Sequence, residues 1–287
     1  MPIMIEFNYF SKFWVEGRLK LEFFDSHAHY NDEKFNEDRE EIIEKIYNAD
    51  ITKFISAGYS LESSKKGIEL AEKYDYIYTT SGISPNDVKE SIEETQKEID
   101  ELRKLIIEYK RGKKEKDKLV GIGEIGLDYY WNKENKEVQK YAFIEQIKLA
   151  NEMNLPIAIH TREAVMNTLE ILKQNPVNKK GVFHCCPFNR ELVKEALKLG
   201  FYISIAGPVT FKNSKNAPEI IDMIPIDRML IETDSPYLAP EPVRGTRNDS
   251  RNVKYTAQKI AELKGLTIEE VAEATYRNAE KLYNIEE

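Results

Sequence analysis

Short apolar runs alternate with longer stretches of helical periodicity along most of the chain. The runs at 21–25, 52–57, 76–82, 119–125, 156–160, 181–184, 201–205 and 229–232 predict strands, being short, rich in β-branched and aromatic residues, and bounded by turn residues. Between them, apolar residues recur at intervals of three and four. That pattern predicts helices over 32–48, 61–74, 87–109, 135–153, 163–174, 190–199, 218–224, 252–264 and 267–283. Phe35, Ile42, Ile43 and Ile46 form the stripe of the first helix, and Ile92, Ile99, Leu102, Leu105 and Ile106 that of the third. Eight strands alternating with helices in 287 residues is the arithmetic of an α/β chain folded as a (β/α)8 TIM barrel. The barrel domain would span 21–287, behind an N-terminal extension of residues 1–20. An open doubly wound sheet is the competing architecture. Gly121, Gly123 and Gly126 have spacings close to those of a dinucleotide-binding turn, but the run opens no clear helix, and the barrel is the better reading.

Composition narrows the function more than the fold. With 41% hydrophobic and 32% charged residues, the chain has the make-up of a globular protein and not of a disordered or fibrous one. Its formal net charge of −8 provides no global positive field for nucleic acid, so phosphate recognition would be local, through a metal or a few arginines. The run 110–118 is rich in lysine, but Glu115 and Asp117 interrupt it, which favours a solvated loop over a nucleic-acid patch. Cys185 and Cys186 are adjacent and badly placed for a structural disulfide, which points to a reducing compartment. Residues 1–19 mix Glu6, Lys12, Glu16 and Arg18 among apolar positions, unlike a signal peptide, and no apolar run is long enough to span a bilayer. A cytoplasmic location is expected.

The candidate chemistry sits at the strand ends. His27 and His29 follow the first apolar run, and residues two apart on an extended chain share a face, so both imidazoles can reach one point. Glu124 ends the fourth strand, His160 the fifth and His184 the sixth, while Asp234 follows the eighth. All four histidines thus fall where barrel enzymes keep their active sites. Each residue has a plainer reading alone: a histidine satisfied in the core, a salt-bridged glutamate, an aspartate in a turn. Together, four imidazoles and two carboxylates exceed what one tetrahedral ion needs and suit two divalent ions sharing a carboxylate.

The same residues carry a family resemblance. Asp-Ser-His-Ala-His (25–29), Gly-Glu-Ile-Gly-Leu-Asp-Tyr-Tyr (123–130), His-Thr-Arg-Glu-Ala (160–164) and Phe-His-Cys (183–185) occur in order. Gly-Phe-Tyr-Ile-Ser (200–204), Ile-Glu-Thr-Asp-Ser-Pro-Tyr-Leu-Ala-Pro (231–240) and Arg-Gly-Thr-Arg-Asn (244–248) follow. In this the chain resembles the TatD-like metal-dependent hydrolases, a deoxyribonuclease family among the amidohydrolase-like barrels, from Phe24 to about Tyr283. The resemblance implies that His27, His29, Glu124 and Asp234 hold one metal and that Glu124, His160 and His184 hold a second, with Glu124 bridging. It implies phosphodiester cleavage of DNA by a metal-activated hydroxide, with Mg²⁺, Mn²⁺ or Zn²⁺ as the cations. An imidazole-rich shell leans toward the softer of these.

Asp234 is then the candidate general base. Arg162, and less strongly Arg244 and Arg247, are candidates for phosphate contact. Tyr129, Tyr130 and Trp131 could stack on an exposed base or pack in the core. The chain departs from the family where a Gly-x-His-Pro-His segment is usual: it reads Gly82-Ile83-Ser84-Pro85-Asn86. It departs again after His184-Cys185, where Cys186-Pro187-Phe188 replaces Phe-Ser-Gly. An esterase acting on D-aminoacyl-tRNA, or an amidohydrolase opening a C–N or lactone bond, would use the same residues. A non-catalytic binder with structural metals is the remaining class.

Overall fold

Parallel strands need a crossover between neighbours, and here a helix supplies most of them. In the computed structural model the strands are β1 (Phe23–Ala28), β2 (Ile51–Ala57), β3 (Ile77–Ser81), β4 (Leu119–Asp128), β5 (Ile157–Arg162), β6 (Gly181–Phe183), β7 (Tyr202–Ile205) and β8 (Met229–Ile231). The helices are α1 (Arg39–Tyr47), α2 (Leu61–Lys73), α3 (Ile92–Arg111), α4 (Lys136–Met153), α5 (Val165–Gln174), α6 (Arg190–Lys198), α7 (Ala217–Met223), α8 (Val253–Lys264) and α9 (Ile268–Tyr283). The described residues are 14–15, 18–19, 21–112 and 117–285. Most of the expected extension 1–20 and the middle of the lysine run, 113–116, lie outside them; within the extension, Trp14–Val15 pairs antiparallel with Arg18–Leu19.

The eight barrel strands pair in sequence order, each parallel to the next. Between β1 and β8 the ring is drawn together by other means. Asp234 N–H donates to the His27 carbonyl at 2.9 Å, and His29 N–H to that of Ser235 at 2.7 Å. Below them, Ser26 Oγ donates to the Ile231 carbonyl at 2.9 Å. The (β/α)8 barrel expected from the sequence is the fold.

Two apolar layers set where chemistry can happen. The larger packs the outer face of the sheet against the helices. The smaller closes the floor of the barrel with one inward residue from every strand: Phe24, Ile55, Tyr78, Val120, Ala158, Val182, Tyr202 and Leu230. Tyr276, Leu282 and Tyr283 of α9 seal it from below. With the bottom plugged by aromatic rings, polar groups gather at the other end, where the strands point their carboxyl termini.

Some boundaries differ from those expected. β1 runs on to Ala28, so His27 lies within the strand instead of beyond it. β4 runs to Asp128 because its pairing with β5 continues to Asp128 beside Arg162, which leaves Glu124 in mid-strand and not at its end. The third helix starts at Ile92, where Ser91 caps it by accepting from Glu94 N–H. The first is broken into a 3₁₀ turn, Glu33–Phe35, and α1, because the Asp32 side chain caps the turn and Arg39 turns back to the Tyr30 and Asp32 carbonyls.

Candidate metal centre

Six side chains from five strands converge at the mouth. Past Ser26 the ladder between β1 and β2 shifts register, and His27 and His29 turn to the mouth together, their Nε2 atoms 3.3 Å apart. Glu124 arrives between two glycines whose backbone and surroundings would strain any side chain. Gly123 and Gly126 have φ of +151° and +141°. A Cβ on Gly123 would stand 2.7 Å from Ala158, and one on Gly126 would overlap the His160 carbonyl. β4 is thereby pressed against β5, which brings Glu124 beside His160. His184 follows β6, and Asp234 follows β8 with φ of +58°.

Glu124 faces two ways. Its Oε2 lies 3.5 Å from both His27 Nε2 and His29 Nε2. Asp234 Oδ1 joins them, 3.2 Å from His29 Nε2 and 3.9 Å from His27 Nε2. Its other oxygen, Oε1, lies 2.8 Å from His160 Nδ1 and 3.4 Å from His184 Nε2, and those two nitrogens are 3.2 Å apart. Donors about 2.0–2.1 Å from a tetrahedral cation stand roughly 3.4 Å from one another, the spacing found in both groups. Ring nitrogens facing each other across such gaps cannot all share protons, whereas lone pairs converging on a cation need none. The donor set fits divalent metal, with Glu124 common to two groups.

The electrostatics agree in direction. Burial opposes ionisation of Glu124, but His184, His160 and His27 outweigh it and hold the carboxyl well below its usual range. Burial likewise opposes the charge on Asp234, and contact with His29 pulls that carboxyl down instead. Behind the donors, a second ring of acceptors fixes the imidazoles. His29 Nδ1 meets the Ala57 carbonyl at 3.1 Å, His160 Nε2 donates to Asp128 Oδ2 at 3.0 Å, and His184 Nδ1 faces Glu232 Oε1 at 3.5 Å. An acceptor at one ring nitrogen leaves the other with its lone pair free for metal.

The family model described as TatD related DNase matches residues 24–284. The chain belongs to the TatD family. Among TatD-like relatives, it is 42% identical over 263 residues to the metal-dependent hydrolase YabD of Bacillus subtilis, covering 91% of this chain and 99% of that one. It is 34% identical over 266 residues to the metal-dependent hydrolase YcfH of Escherichia coli K12, covering 91% and 96%. The crystal structure of YjjV, a TatD homolog from Escherichia coli, superposes with a TM-score of 0.83 at 25% identity, over 92% of this chain and 98% of that one.

In this TatD-family chain the donors open into a cavity of about 1150 Å³. Arg162 and Trp131 stand on its wall. The Arg162 guanidinium lies 4.0 Å from the ring centre of Tyr130 and 5.4 Å from that of Trp131. Trp131 is 68% exposed, while Tyr129 is buried in the core. Arg244 and Arg247 are not brought to the wall. Arg247 forks onto both oxygens of Asp38, and Arg244 lies over Phe211 near Glu241. Ser84 and Asn86 do line the cavity; Ser84 Oγ donates to Asp87 Oδ2 at 2.5 Å.

Sequence reasoning assigned no role to Asp25, Asp128 or Glu232, all fully buried beside the donors. Asp128 and Glu232 stood in plain view within the glycine–glutamate and threonine–aspartate motifs. Only a rule that every ligating histidine needs an acceptor behind it would have picked them out.

Proposed function

We propose that the chain is a metal-dependent hydrolase cleaving phosphodiester bonds of DNA, at single-stranded or frayed ends, with two divalent cations at the barrel mouth. The observation that carries this reading is Glu124 presenting one oxygen to His27 and His29, which Asp234 also meets, and the other to His160 and His184. His27, His29, Glu124 and Asp234 would hold one cation, and Glu124, His160 and His184 the other. When bound, such a pair lowers the pKa of water toward neutrality and neutralises charge on a phosphoryl oxygen. The chain's own groups do the rest. Asp234, kept ionised beside His29, would take the proton of the attacking water. Arg162, its guanidinium lying over Tyr130, offers paired N–H groups to a phosphate in the cavity. Trp131 offers a ring for an unpaired base to stack on.

The test is nucleotide release from a short single-stranded oligonucleotide by metal-loaded protein, alongside deacylation of a D-aminoacyl-tRNA. Release that disappears in Asp234→Asn, with the fold retained by circular dichroism, is the expected result. Deacylation without release would replace the phosphodiesterase reading with the esterase one, and undiminished release by Asp234→Asn would remove the assigned base.

A further inference from the structure

Asp128 is the last residue of β4, fully buried, and every oxygen of its carboxylate is engaged. Oδ2 accepts from His160 Nε2 at 3.0 Å and from Asn86 Nδ2 at 3.4 Å. Oδ1 accepts from two successive backbone amides, Tyr130 N–H at 2.8 Å and Trp131 N–H at 2.9 Å. One carboxylate therefore holds a donor imidazole with one oxygen and the start of the aromatic loop with the other. We propose that Asp128 is a positioning residue that couples cation binding at Glu124, His160 and His184 to the placement of Trp131 over the cavity. The inference rests on the metal-binding half of the proposed function, and is independent of what the enzyme cleaves.

The root of the loop is held by β5 and α4 as well, Tyr129 N–H donating to the Arg162 carbonyl at 2.9 Å. Gln139 of α4 accepts from Asp128 N–H and donates to the Asp128 and Asn132 carbonyls at 3.0 and 2.8 Å, so the loop is clasped at both ends, with Asp128 at its start. On the other side, His160 and Arg162 share β5, and Arg162 stacks on Tyr130 and Trp131. A cation that fixes the His160 ring through Nδ1 fixes Nε2 as a donor, and hence the carboxylate that receives it. Asn86 occupies the place of the second histidine in the family's Gly-x-His-Pro-His segment, and here it donates to the same oxygen. Coupling of this kind is reciprocal: a base stacked on Trp131 would tighten the cation, by as much as the cation helps the base.

The experiment uses the full chain in a Trp14→Phe background, which leaves Trp131 as the one tryptophan of the two. Zn²⁺ is titrated while heat and tryptophan emission are recorded together. The expected result is an emission change that tracks one of two binding steps. In Asp128→Asn, whose Oδ1 can still receive the loop amides while its amide nitrogen faces the His160 donor, that step weakens by about 10–100-fold and the emission no longer follows it. The other step stays within about twofold. Asp128→Ser repeats the measurement should the asparagine variant melt early by circular dichroism. Zinc binding in two steps with unmoved emission, or both variants titrating like the parent, overturns the coupling. Failure of the parent to bind zinc overturns the metal reading beneath it.

Discussion

Thr233 gives Asp25 two hydrogen bonds, from its backbone N–H at 2.9 Å and from its hydroxyl at 2.5 Å, across the seam where β1 meets β8. Ser250 Oγ adds a third at 2.5 Å. The carboxylate that closes the barrel is also fully buried, and burial pushes it up to about 7 against the pull of Ser250 and Thr233. An aspartate in the unfolded chain titrates near 3.9. Between those values the folded, metal-free protein binds a proton that the unfolded chain has lost, so stability falls as pH rises from about 4 to about 7. Three units correspond to roughly 4 kcal/mol. Urea unfolding of metal-free protein at pH 4.5 and 7.5 is expected to show that loss in the parent and a flatter profile in Asp25→Asn. Equal slopes in the two proteins would remove Asp25 as the cause.

Glu124 is the group on which both donor sets depend. A glutamine there keeps the volume but offers one neutral oxygen where two charged ones stood. Glu124→Gln is expected to lower bound metal in elemental analysis below that of the parent, and hydrolysis by about 10³-fold or more, the loss of some 4 kcal/mol of charge stabilisation. Full metal content in the variant would show that the two groups do not need a shared carboxylate.

Gly126 makes a prediction about stability alone. Its φ of +141° and the His160 carbonyl packed against it leave no room for a methyl group. Because the obstacle is backbone, no side-chain rotation relieves it. Gly126→Ala is expected to destabilise the protein by about 3 kcal/mol or more, visible as a fall in Tm, whether or not metal is present. A variant melting with the parent would mean that β4 can draw away from β5 without cost.

Much of this arrangement was legible in the chain because it is written in local patterns. His27 and His29 sit two apart, and each remaining histidine follows an apolar run, so a period and a strand end were enough to gather them. The start of α3 was also legible in principle: Ser91 with Glu94 three residues on is a capping pattern, and the apolar stripe itself begins at Ile92. Other features depend on partners far along the chain. Arg247 looked free for phosphate until the fold placed Asp38, 209 residues earlier, against it. Asp128 and Glu232 read as ordinary motif acids because the histidines they face come from other strands, the next one along for Asp128 and the next but one for Glu232. Register between strands, which no single-chain period encodes, decides such contacts.

Trp131 offers the mouth its most exposed ring. It is 68% exposed, so removing it costs the core nothing, and surface changes of this kind shift stability by no more than about 0.5 kcal/mol. Stacking of an unpaired base on such a ring contributes about 1–3 kcal/mol. Trp131→Ala is therefore expected to raise KM for a single-stranded oligonucleotide by roughly 5- to 150-fold, with kcat changed little, since the indole touches neither donor set. The ring also neighbours Arg162, whose guanidinium it helps to hold at 5.4 Å. Trp131→Phe, which keeps a stacking face, should recover most of the loss. A fall in kcat without a rise in KM would place Trp131 with the positioning of the scissile phosphate, and an unchanged KM would leave the exposed ring with no part in binding the strand.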